Sequence, residues 1–174
     1  MKFVAFIRGI NVGGKSIVRM ERLRDLLSAA GLESVRTYIQ SGNVAFESES
    51  LDEDSARQVI EDVMSREFFQ TPVMVRSRDE LVRLIAENPF AGDEYEEKQL
   101  HLVFLNDPLP DEKAELLLAQ QSPNERFEIR GRDIYCLLLA GVADSALGKK
   151  FIENKLKTAS TARNWQTMNA VINL

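Results

Sequence analysis

Gly9-Ile10-Asn11-Val12-Gly13-Gly14-Lys15-Ser16 follows the apolar stretch Phe3 to Ile7 and spells the spacing G-x-x-x-x-G-K-[ST] without a mismatch. Glycines let backbone N–H groups turn toward an anion, and Lys15 with the flanking Arg8 adds positive charge. The chemistry suits a phosphate or a carboxylate. The competing structural reading is that the glycines only turn the chain and Lys15 stays solvated.

A second polar set closes the chain. Ser160, Arg163, Asn164 and Thr167 stand at i, i+3, i+4 and i+7, so a helix starting near Ser160 or Thr161 would carry them as one stripe opposite Trp165, Met168 and Ile172. Arg163 can grip a carboxylate or phosphate bidentately, and a helix start adds free N–H groups, so this segment could complete a site begun by Arg8, Asn11 and Lys15. Equally, Arg163 and Asn164 could cap a loop between the two halves of the chain. Gln40, Ser41 and Asn43 offer further polar contacts, although turn chemistry alone accounts for Ser, Gly and Asn in such a segment.

Other chemistries are harder to build. His101 is the lone histidine and Cys136 the lone cysteine, which leaves no His/Cys set for zinc, no internal disulfide and no Cys/His pair; no metal site is expected. Both lie in apolar strand-like runs and read as packing residues. Asp52, Glu53 and Asp54 suit a helix start. A nucleotide kinase would need a parallel sheet, a helix opening at the glycine loop and a second acidic residue for magnesium, for which Asp107 is a poor candidate. Catalysis is left open, and no cofactor is indicated.

The elements that would position these residues follow from periodicity. Lys2 to Arg8, apolar at nearly every position, predicts a central strand. Met20, Leu23, Leu26, Leu27 and Ala30 predict a helix stopped by Gly31; Val35–Ile39 and Val44–Phe46 predict a hairpin through Gln40-Ser41-Gly42-Asn43. Ala56 to Phe68 predicts a second helix, and Pro72–Val75 a strand. Ser77 with Glu80 forms a capping box for a connecting helix. The order then recurs: strand Leu100–Leu105, helix Asp111–Ala119, and a hairpin of Phe127–Ile129 with Ile134–Leu139. Two helical segments close the chain, with no clear last strand in this half.

That order predicts an α+β fold of two ferredoxin-like β-α-β-β-α-β units with mainly antiparallel sheets, the first over 1–77 and the second, led by the connecting helix, over 78–174. The 174 residues, 44% apolar, are enough for one sizeable core or two small ones. A net charge of −5 argues against a general nucleic-acid or anionic-membrane coat, and the cluster Lys149, Lys150, Lys155 and Lys157 reads as a solvated face. Without a signal-like or membrane-spanning run, the expectation is a soluble, cytoplasmic protein.

The blocks Arg8-Gly9-Ile10-Asn11-Val12-Gly13-Gly14-Lys15, Arg36 to Val44 and Thr161-Ala162-Arg163-Asn164-Trp165, in that order, resemble the bacterial proteins of domain of unknown function family 1697. The resemblance spans nearly the whole chain and implies a pair of ferredoxin-like units, with no established biochemical role. Position 162 is Ala where the family often has Thr, and the family does not require a hydroxyl at the position of Ser16. Together these readings lead to an expected site for a small anionic or nucleotide-like ligand in a cleft between the units, lined by Arg8, Asn11, Gly13, Gly14, Lys15, Asn43, Arg163 and Asn164. The alternatives are a phosphate-loop phosphotransferase and an RNA- or protein-interaction module.

Overall fold

A computed structural model describes residues 1–174, which divide into two compact units: 1–85 with 170–174, and 86–169. The first contains β1 (Lys2–Ile7), α1 (Met20–Ala29), β2 (Glu33–Tyr38), β3 (Asn43–Glu47), α2 (Glu53–Glu67), β4 (Val73–Ser77) and most of α3 (Arg78–Ala86). Its sheet runs in the order β2-β3-β1-β4 with every neighbouring pair antiparallel. Each helix therefore crosses over one intervening strand, the split arrangement of a ferredoxin-like unit.

Alternate residues decide the packing. Phe3, Ala5 and Ile7 of β1, Val44 and Phe46 of β3, and Val73 and Val75 of β4 form one core with Leu23 and Leu27 of α1 and Ala56, Ile60, Val63 and Met64 of α2. Val4 and Phe6 point to the other face and are buried too, which is why β1 is apolar throughout. Asp52 caps α2, its Oδ1 accepting the Ser55 N–H at 2.8 Å; hydrogen bonding from the Ser55 side chain, and then from its backbone, holds the carboxyl below its ordinary range. Ser77 Oγ accepts the Glu80 N–H at 3.2 Å and opens α3.

The second unit repeats the plan with β5 (Leu100–Phe104), α4 (Asp111–Leu118), β6 (Glu125–Arg130), β7 (Asp133–Leu138), the single turn α5 (Phe151–Asn154), β8 (Thr161–Asn164) and most of α6 (Trp165–Val171). The sheet order is β6-β7-β5-β8, again antiparallel throughout. Val103, Leu105, Ile134, Cys136 and Leu138 pack with Leu117, Ile152 and Leu156.

Two expectations need correction. The last strand missing from the sequence reading is β8, which pairs with β5 from Phe104↔Thr161 to His101↔Asn164. The closing helix consequently begins at Trp165, and Ser160, Arg163 and Asn164 are not on it. A four-residue strand shows too little alternation to stand out against the helical spacing that follows it. The two compact units divide at Ile85/Ala86, and most of α3 lies in the first, where Arg78 Nε donates to the Ile172 carbonyl at 2.8 Å.

Candidate functional site

The glycine loop is a small hairpin. Lys15 N–H donates to Val12 O at 3.0 Å and Asn11 N–H to Ser16 O at 2.9 Å, so Gly13 and Gly14 form the two-residue tip. Both have positive φ, +57° and +73°, as a mirror-image turn of this kind demands. A phosphate loop would instead lead straight into a helix whose first N–H groups face the anion. Here α1 opens only at Met20, after the extended Arg19, and the Lys15 N–H is spent on the turn.

What the tip leaves outward is nonetheless suited to an anion. The N–H groups of Gly13 and Gly14 make no hydrogen bond within the protein, and the exposed Lys15 ammonium has no ion-pair partner. Arg8 is half-buried at the base of the loop; its N–H donates to Pro72 O at 3.1 Å, and its carbonyl accepts the Thr71 hydroxyl at 2.6 Å.

Asn11 holds the loop. Its Oδ1 accepts the Val18 N–H at 2.8 Å, and its Nδ2 donates to the carbonyls of Val18 at 3.0 Å and Gln40 at 2.7 Å. The amide thus joins the glycine loop to the β2–β3 turn. Asn43 is fully buried and works inside that turn, donating to Tyr38 O at 3.2 Å and Ser41 Oγ at 3.0 Å. Gly42 is obligatory beside it, since a Cβ there would lie 2.6 Å from Ile7 O. Of the eight expected site residues, Arg8, Gly13, Gly14 and Lys15 present chemistry from one loop, while the amides of Asn11 and Asn43 are engaged in holding that loop and its neighbour.

Arg163 and Asn164 belong to the second unit. Arg163 faces inward from β8; its Nη1 donates to Thr161 Oγ1 at 2.7 Å and Ala162 O at 2.8 Å, and burial lowers the guanidinium pKa to about 10. It stays charged at neutral pH. Asn164 Oδ1 accepts the Thr167 N–H at 2.9 Å and caps α6. The first unit has counterparts of both. Arg76, opposite Val4 as Arg163 is opposite Leu102, is buried and donates from Nη1 to the carbonyl before it, and Ser77 caps α3 as Asn164 caps α6. A buried arginine followed by a capping residue is therefore a feature of this edge strand in each unit.

The sequence reading missed Val12, Ile17 and Ile39, which are 62%, 71% and 53% exposed around the same loop. Isolated apolar residues beside turns carry no periodic signal, and Ile39 reads as a strand end. His101 is buried on β5, where desolvation depresses its pKa and its Nδ1 has no hydrogen-bond partner. Burial raises the Cys136 thiol above its ordinary range, which makes it inert.

Two open antiparallel sheets, each of the ferredoxin-like order, with a glycine hairpin projecting from the first, define a tandem α+β protein. The chain belongs to the family described as Protein of unknown function (DUF1697), whose model matches residues 1–135. A solved structure of the conserved bacterial protein SP0830 from Streptococcus pneumoniae matches with a TM-score of 0.79 over 99% of this chain and 97% of that one, at 24% identity. At that identity the likeness speaks to the fold. No curated protein matches. No helix is long and apolar enough to cross a membrane.

Proposed function

We propose that this is a binding protein whose contact element is the Gly9–Ser16 hairpin, and that it takes the phosphate or carboxylate of a small anionic or nucleotide-like ligand. The observation that carries this reading is the pair of partnerless N–H groups at Gly13 and Gly14 next to the unpaired ammonium of Lys15. Two neighbouring amides and one cation make a donor set able to meet an anion's oxygens, without requiring a metal. Arg8 adds charge at the base. Asn11 and Asn43 fix the two loops, so little conformational entropy is left for binding to remove.

A phosphotransferase is the weaker reading, because the hairpin consumes the Lys15 amide and α1 opens only at Met20 rather than at the glycine loop. Thermal shift with ATP separates the two. A hairpin anion site gains stability from ATP with or without magnesium, in proportion to ligand concentration over Kd. Stabilisation seen only with magnesium would favour the phosphotransferase and count against the hairpin site.

A further inference from the structure

The end of the first unit that carries the hairpin differs from the rest of this acidic chain in charge. No Asp or Glu occurs from Met1 to Met20 or from Ser34 to Phe46, and the loop between β1 and α1 contributes Arg8, Lys15 and Arg19. It also differs in apolar exposure. Val12, Ile17 and Ile39 are among the most exposed large apolar side chains of the protein, and one residue ties together the backbone segments that carry them. Asn11 precedes Val12, bonds Val18 beside Ile17, and bonds Gln40 beside Ile39.

Ile39 adds an independent sign. Its φ is +47°, a left-handed conformation that β-branched residues avoid and that Asn or Gly accepts readily. An exposed isoleucine in that conformation adds strain and contributes little to the core, so folding alone gives no reason for it. Strain of this sort collects where a side chain is displayed for contact.

We propose that this loop end docks an acidic segment of a partner protein, whose carboxylates meet Lys15, Arg19 and the tip amides while its aliphatic side chains cover Val12, Ile17 and Ile39. The inference rests on the anion-contact reading of the hairpin and names the carrier of the anion. A free small anion would leave the three apolar side chains in water, and neither the hollow beside Arg36, Ala45 and Arg78 nor the one beside Leu26, Val59 and Arg66 includes a hairpin residue. RNA is a poorer fit because Tyr38, the aromatic neighbour of Ile39, is half-buried and stands alone rather than in a series of exposed rings for stacking. An anionic bilayer is a poorer fit because Arg8, Lys15 and Arg19 fall short of the cluster of about four to eight cations that holds a segment to such a surface.

The test follows the amide signals of Gly13 and Gly14 and the methyl signals of Ile17 and Ile39 in the full chain. The probes are a short peptide alternating Glu with Leu, inorganic phosphate, single-stranded poly-U and phosphatidylserine vesicles. The peptide should shift all four residues. Ile39→Asn and Ile17→Ser should each weaken peptide binding about tenfold, the worth of one good apolar contact, and leave the phosphate response unchanged. The Ile39→Asn unfolding midpoint should be unchanged or raised, because the left-handed strain is relieved. Unchanged peptide affinity in both variants would overturn the docking proposal, as would poly-U or vesicles acting at lower concentration than the peptide. A phosphate response without a peptide response defeats the docking proposal and leaves the anion reading standing; no response to either removes both.

Discussion

Replacing Asn11 by Ala takes away the acceptor of the Val18 N–H and the donor to the Val18 and Gln40 carbonyls in one step. Half-buried hydrogen bonds of this kind contribute roughly 1 kcal/mol each, so urea denaturation should show a loss of about 1–3 kcal/mol for Asn11→Ala. Lys15→Ala should behave in the opposite way. Its ammonium touches nothing in the fold, so the denaturation midpoint should stay in place while affinity for pyrophosphate falls by up to about fivefold, the range for a solvent-exposed charge contact. The residue types of this loop were legible in the sequence, and so was its charge. The division of labour was not, because Asn11 and Lys15 are equally polar and only the backbone path shows which one is spent on holding the loop.

Among the elements, β5 carries a pH-sensitive feature. His101 is buried with its Nδ1 unpartnered, and burial disfavours the imidazolium, so its folded pKa lies below the unfolded 6.5. The unfolded chain then binds more protons as pH falls from about 6.5 toward the folded pKa, and stability is lost over that interval and retained above it. Urea midpoints measured downward from pH 7 should decline, and His101→Phe should flatten the slope before carboxylates begin to titrate. The long, periodic elements of both units were readable, as were the turns that join the hairpins. β8 was not, because Thr161–Asn164 runs directly into α6 and its pairing to β5 is a long-range fact. Arg163 and Asn164, read as a helical stripe, alternate across a strand instead, one turned inward and the other capping the next helix.

At the scale of the whole molecule, the two units share strand order, antiparallel pairing and the buried arginine of the last strand, yet only the first carries the hairpin. The corresponding connection in the second unit, between β5 and α4, runs Leu105-Asn106-Asp107-Pro108-Leu109-Pro110, with no glycine, no cation and an aspartate in its place. Shared fold therefore does not entail shared chemistry, and the proposed anion contact concerns the first unit alone. The overall net charge of −5 hides this asymmetry, which appears only when charges are placed along the chain. Because the contact is electrostatic and exposed, affinity should weaken as salt shortens the screening length to about 8 Å at physiological ionic strength.

The central claim is that the tip of the Gly9–Ser16 hairpin holds an anion through its own amides. Titrating the isotopically labelled full chain with pyrophosphate in metal-free buffer addresses it directly. The account predicts saturable shifts of the Gly13 and Gly14 amide resonances, the same shifts weakened in Lys15→Ala, and little change at the β5–α4 connection. Silent Gly13 and Gly14 amides, or a response centred on the second unit, would contradict it.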